Sequence, residues 1–173
     1  MDSGTVGSFD REMLPHLAAA LTLARYLLGN AADAEDAVQD AYLQAIRHFA
    51  GYRGENARAW LLTIVRRVCY ACSARDQRVG AREDHPDRIE EIPAETEDPE
   101  SGVLRGELQE VLARAVRALP DPFREVIVLR EIQDLSYREI SEVTGVPVGT
   151  VMSRLARARR RLQQVLEAQG MEG

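Results

Sequence analysis

Arginines crowd the end of the stretch from Leu135 to Leu166, and their spacing suggests nucleic-acid chemistry. Arg157 and Arg159–Arg161 follow one another with no acid between them. Guanidinium groups neutralise phosphates, and base edges in the major groove require a helix that can enter it. The leading interpretation is therefore nucleic-acid binding. The alternative is a short helical hairpin whose basic face is merely solvated.

Two predicted helices and a tight turn must position these arginines. Ile140 and Val143 give the first helix an apolar side, and Thr144 and Gly145 end it, since glycine adopts positive φ without a Cβ penalty. Pro147 then favours a new helical start. The second helix carries apolar residues at helical spacing: Val148, Val151, Leu155, Leu162, Val165 and Leu166. This pattern is typical of a helix-turn-helix.

Cys69 and Cys72 form a CxxC, which can indicate redox chemistry or half of a zinc site. Both continue the apolar stripe of a predicted helix, and they are the only two cysteines. The three histidines are scattered, without metal-ligand spacing. We therefore favour buried core thiols and expect no metal and no cofactor, with a redox or zinc sensor as the alternative.

The composition favours an all-α protein. Hydrophobic residues make up 45% of the 173 residues but aromatic ones only 5%, so that the core must come from Ala, Leu, Val and Ile. The net charge of −6 is segregated along the chain and does not exclude DNA binding. No apolar run is long enough to cross a bilayer, and the N-terminus lacks a basic region followed by a hydrophobic one. We expect a cytoplasmic protein without membrane insertion.

The first half predicts three helices. A buried one covers Phe9 to Leu28, with Pro15 in a turn or kink, and the next has Asp33 as a natural N-cap. Its polar side is either a solvated face or a docking surface. The loop from Ala50 to Asn56 leads into a long amphipathic helix, with Asn56 as its expected N-cap. Arginines lie outside the apolar stripe of that helix: Arg58, Arg66, Arg67, Arg75 and Arg78.

Composition changes in the middle of the chain define the domains that we expect. Residues 79–101 are acidic and contain three prolines, which is typical of a linker. We thus predict a disordered N-terminus at 1–8, a helical domain at 9–78, the linker at 79–101 and a four-helix domain at 102–168 that contains the helix-turn-helix.

Three blocks of this sequence resemble the extracytoplasmic-function (ECF) sigma factors, a two-domain branch of the bacterial sigma-70 family. They are ADAEDAVQDAYLQAIRHF, YRGENARAWLLTIVRR and LPDPFREVIVLREIQDLSYREISEVTGVPVGTVMSRLARARRRL. The resemblance covers roughly residues 14–166, and the order and spacing of the blocks are more specific than any one of them.

The resemblance implies partners and roles. It implies binding to core RNA polymerase, to promoter DNA and to an anti-sigma factor, with the polymerase performing the chemistry, so that this chain is not an enzyme. The docking helix for polymerase would use Asp33, Glu35, Asp36, Gln39 and Asp40. Contacts with the −10 promoter element would come from Tyr52, Arg53, Asn56, Arg66, Arg67 and Arg75, the first three around a captured base.

The −35 element would be contacted by Thr150, Ser153, Arg154 and Arg157, with Thr150 meeting a phosphate through its hydroxyl and its backbone N–H. Arg157 would meet a guanine edge, whereas Arg159–Arg161 would meet phosphates or solvent. Met152 and Ala156 stand where many relatives carry longer or bulkier side chains, which leaves the base preference open. A free-standing helix-turn-helix regulator, with a dimerisation or sensing domain in its first half, is the remaining alternative.

Overall fold

The computed structural model describes residues 3–79, 99–168 and 170, and this part of the chain contains helices and no strand. Its α-helices are α1 Ser3–Met13, α2 Leu17–Leu28, α3 Ala31–His48, α4 Ala57–Val79, α5 Pro99–Ala118, α6 Asp121–Ile127, α7 Tyr137–Thr144 and α8 Val148–Ala168. The expected all-α class is confirmed. No helix in the described ranges is both long and apolar enough to cross a membrane.

The N-terminal domain packs α2, α3 and α4 around a core rich in alanine. Small side chains allow close helix approach, and Ala20, Ala24, Ala37 and Ala41 are fully or almost fully buried. Asn56 caps α4, as predicted, by accepting a hydrogen bond from the N–H of Ala59 at 3.0 Å.

The chain start differs from the prediction. Residues 3–8 belong to α1 rather than to a disordered terminus, because Phe9 and Met13 further along the helix are buried. The Phe9 ring packs edge-on against Tyr42 and Phe49, at centroid distances of 5.7 and 5.3 Å. Tertiary burial thus holds a helix whose first residues have no apolar pattern of their own.

The structure confirms the predicted turn at Pro15. The chain between Phe9 and Leu28 is interrupted by a 3-10 turn at Leu14–His16, since Pro15 has no N–H to donate within a continuous helix. The predicted cap of the next helix differs. Asn30, not Asp33, caps α3, and its side chain accepts from the N–H groups of Ala32 and Asp33 at 2.8 and 3.2 Å.

The C-terminal domain consists of α5 to α8. A π-helical turn at Val128–Ile132 follows α6 and leads through Asp134, whose φ is 55°, to α7. Ser136 and Glu139 form a capping box at the start of α7. Helix α5 begins at Pro99, inside the stretch expected to be linker, and residues 80–98 of that stretch lie outside the described ranges.

The two domains pack against each other. Gln133 donates from Nε2 to the carbonyl of Ala19 on α2 at 2.8 Å, and Arg58 of α4 donates to the carbonyl of Gln133 at 3.1 Å. Buried side chains of both domains form one continuous apolar cluster. The faces of α4, α6 and α7 that meet here are therefore covered in this conformation.

Candidate nucleic-acid interface

Helix α8 has one buried and one exposed face. Val151, Leu155 and Ala158 are buried against the rest of the domain. The positive φ of 73° at Gly145 ends α7, and the Ser141 hydroxyl donates to the carbonyl of Val146 at 2.6 Å, fixing the turn that follows. The exposed face of α8 presents Met152, Ser153, Ala156, Arg157 and Arg160. This is the geometry of a recognition helix whose outer face can enter a groove.

The four residues predicted for the −35 element are not equally accessible. Ser153 and Arg157 are exposed, and Thr150 is half-buried near the helix start. The N–H of Thr150 donates to the carbonyl of Pro147 at 2.9 Å. The backbone donor predicted to bind a phosphate is therefore already used within the helix. Arg154 is also half-buried, and its Nη1 lies 3.8 Å from Oε1 of Glu125. Arg154 therefore points into its own domain.

A groove of about 280 Å³ lies where the predicted base-capture loop meets the start of α4. The lining residues are Gly51, Tyr52, Arg53, Glu55, Asn56, Ala59, Trp60, Thr63 and Glu142. The Tyr52 ring lies 5.0 Å from the Trp60 ring and stacks on Phe49 at 5.6 Å. Gly54, with φ 77°, makes the loop turn. Aromatic and polar walls of this kind suit an unstacked base.

Asn56 is already engaged in this conformation. Its Oδ1 caps α4, and its Nδ2 donates to Oε1 of Glu139 on α7 at 2.8 Å. Another α7 residue, Glu142, forms part of the groove wall. The C-terminal domain thus occupies one side of the predicted base-capture site.

The three arginines predicted along α4 do not share one environment. Arg67 and Arg75 are exposed, whereas Arg66 is half-buried against α6. Arg66 donates from Nε to Oε2 of Glu125 at 2.7 Å and from Nη2 to Oε1 at 3.2 Å. The structure therefore brings Tyr52, Arg53 and Asn56 together but places Arg66 at the domain interface.

The predicted polymerase-docking residues share the outer side of α3. Asp33, Glu35, Asp36, Gln39 and Asp40 are all exposed. Leu43, one turn further along, is also exposed over half of its surface. An exposed apolar side chain beside acidic residues can bind a partner surface that combines an apolar patch with basic residues at its edge. We call these acidic residues of α3 the acidic rim.

The cysteine pair does not favour redox or zinc chemistry. Cys69 is buried, and this burial raises the pKa of its thiol to about 12. Burial also raises the pKa of Cys72. Reactive thiols need the opposite shift. Within residues 3–79 and 99–168, no group of three or more His, Cys, Asp or Glu side chains could hold a metal ion.

Several residues at these surfaces are not predicted from the sequence. Trp60 and Thr63 line the groove, whereas the helical spacing of Trp60 with Leu61 and Ile64 predicts a core position for it. Glu125 is buried and accepts from Arg66 and from the Tyr70 hydroxyl, the latter at 2.8 Å. A signal for Glu125 existed, because it is a lone acid within the apolar run from Phe123 to Leu129.

Two family models match the chain, in the order of its two domains. The model of sigma-70 region 2 matches residues 13–79, and that of sigma-70 region 4 matches residues 109–162. The groove beside α4 lies in the first match apart from Glu142, and α8 begins in the second. The two matches thus fall on the two candidate surfaces.

Curated relatives support the same assignment. The RNA polymerase sigma-H factor of Pseudomonas aeruginosa is 30% identical, over 95% of this chain and 89% of its own length. The ECF RNA polymerase sigma-E factor of Escherichia coli K12 is 33% identical, over 78% and 74%. The ECF sigma factor SigE of Mycolicibacterium smegmatis is 32% identical over 99% of this chain, which spans 66% of that relative.

Solved structures show the same fold. The sigma factor RpoE of Bartonella quintana, in complex with the anti-sigma factor NepR, has a TM-score of 0.75 at 29% identity, covering 92% of this chain and 97% of that one. CnrH, in complex with the cytosolic domain of CnrY, has a TM-score of 0.69 at 26% identity, covering 96% and 92%. With both regions matched in order, the chain belongs to the sigma-70 family, in its ECF branch.

Proposed function

We propose that this chain binds core RNA polymerase through the exposed side of α3 and directs it to promoters by contacting two DNA elements. The observation that carries the proposal is that an exposed recognition helix and a base-sized groove occur in one chain, within the regions matched to sigma-70 regions 4 and 2. A free-standing regulator or a cysteine-based sensor explains only one part of this arrangement.

At the −10 element, the groove beside α4 receives an extruded base. Extrusion costs stacking energy, and stacking on Tyr52 or Trp60 returns part of it. Arg53 lies exposed at the rim, where it can meet the adjoining phosphate. The exposed Arg67 and Arg75 further along α4 then contact the separated strand.

At the −35 element, Arg157 provides the base contact, because its side chain lies on the exposed face of α8. The Thr150 and Ser153 hydroxyls contact the DNA backbone near the helix start. Arg154 takes a positioning role in this scheme, since Glu125 draws its guanidinium inward.

Polymerase carries out the chemistry, and this chain supplies binding and promoter choice. Its place of action is accordingly the bacterial cytoplasm, where core polymerase and DNA meet. One similar structure contains a sigma factor bound to an anti-sigma factor, and another contains CnrH bound to the cytosolic domain of CnrY. We extend an anti-sigma partner to this chain, which would cover the polymerase or DNA surfaces.

Run-off transcription with purified bacterial core polymerase on a promoter library tests the proposal. We expect transcripts from a subset of templates that share two short elements at a fixed separation, and none from core polymerase alone. Tight, sequence-specific binding of the isolated chain to duplex DNA, without any stimulation of core polymerase, would contradict it.

A further inference from the structure

One face of α4 is covered by the C-terminal domain although it carries groups suited to nucleic acid. We call this the shared face and define it by Asn56, Arg58, Arg66 and Tyr70. These residues contribute an amide, two guanidinium groups and a phenol, all of which can donate hydrogen bonds to phosphates or bases.

Glu125 of α6 occupies one end of the shared face. Its carboxylate accepts two hydrogen bonds from Arg66 and one from the Tyr70 hydroxyl, at distances between 2.7 and 3.2 Å. The Arg66 guanidinium also lies 4.8 Å from the centre of the Tyr70 ring. Burial, followed by the nearby carboxylate, raises the pKa of Tyr70 well above its usual range, so that the phenol remains a donor.

Glu139 of α7 occupies the other end. Its Oε1 accepts from Nδ2 of Asn56 at 2.8 Å and lies 3.8 Å from Nη2 of Arg58. Its Oε2 accepts from the N–H of Ser136 at 2.7 Å. The capping box of α7 therefore holds this carboxylate in place against the N-terminal domain.

We propose that single-stranded promoter DNA and the C-terminal domain compete for the shared face, with Glu125 and Glu139 taking the positions that nucleic-acid acceptors occupy after the domains separate. This inference rests on the proposed function. It adds Arg58 and Tyr70 to the DNA-binding residues, and it makes the conformation described above one that must open before the −10 strand can bind.

The chemistry of the acceptors supports the replacement of Glu125 and Glu139 by nucleic acid. Carboxylates and phosphates accept the same paired hydrogen bonds from a guanidinium group, so that one can replace the other at Arg66. Glu142 of α7 also lines the base-capture groove, so separation of the domains would open that wall at the same time. Polar pairs at Glu125 and Glu139 lie beside the shared apolar cluster, and interfaces within one chain that carry such polar contacts commonly allow the domains to move relative to each other.

Glu125→Gln tests the competition, with Glu110→Gln as the matched control. Both changes remove one negative charge from the C-terminal domain, but Glu110 is exposed on α5 and does not contact the shared face. Small-angle X-ray scattering measures compactness, and fluorescence anisotropy at fixed salt measures binding of a mixed-sequence single strand of about 20 nucleotides.

We expect Glu125→Gln to increase the radius of gyration and to tighten strand binding about tenfold, equivalent to about 1.4 kcal/mol. Glu110→Gln should leave both values unchanged. Tyr70→Phe, which removes only the donor from the N-terminal domain, should also expand the protein. It keeps the inference testable should Glu125→Gln fail to fold.

Unchanged scattering in Tyr70→Phe and in folded Glu125→Gln would overturn the inference, as would expansion without tighter strand binding. Equal tightening by Glu110→Gln would reduce the effect to net charge and would also overturn the inference. Transcription by the wild-type chain with core polymerase is scored separately. Absence of transcription would count against the proposed function. Transcription by the wild-type chain, together with unchanged scattering and strand binding in Glu125→Gln, would count against the competition alone.

Discussion

Arg159 of α8 and Glu131 of the π-helical turn form an ion pair within the C-terminal domain, with Nε of Arg159 lying 2.8 Å from Oε1 of Glu131. Two positions earlier on the same helix, Arg157 is exposed and forms no ion pair within the described part of the chain. The arginine cluster that suggested nucleic-acid binding is therefore divided by tertiary structure. One member is held by its own domain, and another is available to a ligand.

This division predicts different effects for two otherwise identical substitutions. Arg157→Ala should weaken binding of the polymerase complex to promoter DNA by about 1–3 kcal/mol, because a base or phosphate contact is lost. Arg159→Ala should change DNA binding much less and should instead lower stability by at most about 1 kcal/mol, since its ion pair is half exposed. Filter binding of the reconstituted complex and thermal unfolding separate the two effects. Equal losses of DNA affinity would refute the distinction.

The outer side of α3 predicts a second result, on polymerase binding. Reversing two exposed charges together, Asp36→Lys and Asp40→Lys, should weaken binding to core polymerase about tenfold at low salt, because the acidic rim is replaced by a basic one. The matched control reverses two exposed acids of α5, Glu107→Lys and Glu110→Lys. Fluorescence anisotropy of labelled protein titrated with core polymerase measures both. Equal affinity of the two double variants would remove α3 from the docking surface.

Much of the fold was predictable because its signals are local. The turn at Gly145, the cap at Asn56 and the apolar stripes of α4 and α8 depend on residues only a few positions apart, and the structure confirms them. The start of α1 was not predictable in this way. Its helical state depends on Phe9 reaching Tyr42 and Phe49, which are more than thirty positions away.

The types of residue at the site could be predicted from the sequence, but the partners that these residues have in the folded chain could not. Arg66 and Arg154 are basic residues of the predicted helices, yet both lie beside Glu125, and the pair Arg66–Glu125 is separated by 59 positions. No local pattern encodes a partner at that distance. Sequence therefore identifies residues capable of binding DNA, whereas the packing of the two domains determines which are accessible.

Two glycines of the C-terminal domain should respond in opposite directions to the same substitution. Gly145 has φ 73°, where a Cβ is strained, so Gly145→Ala should lower the free energy of unfolding by about 1–2 kcal/mol. Gly149 lies in α8, and an added Cβ would meet nothing within 4 Å. Gly149→Ala should raise stability by about 0.5 kcal/mol, because alanine restricts the unfolded chain. Urea unfolding of the full chain measures both, and a destabilising Gly149→Ala would contradict the account.

The cysteines should be inert in the folded protein. With a pKa of about 12 against an ordinary 9.0, the Cys69 thiol holds about a thousandfold less thiolate at pH 8 than a free one. Because Cys69 is also buried, iodoacetamide should modify it only when the helix opens, and the half-buried Cys72 should react first. Mass spectrometry of alkylated peptides over time measures this order.

The same chemistry predicts that the double substitution Cys69→Ala and Cys72→Ala preserves promoter-directed transcription and its insensitivity to oxidants. The main cost should be stability, about 1 kcal/mol, since removing a buried sulfur leaves a small cavity at Cys69. Transcription by the variant and the wild-type chain is compared with and without hydrogen peroxide, alongside thermal unfolding. If peroxide inhibited transcription by the wild-type chain but not by the variant, the pair would instead be a redox sensor. Burial and the raised thiol pKa would then not have prevented oxidation.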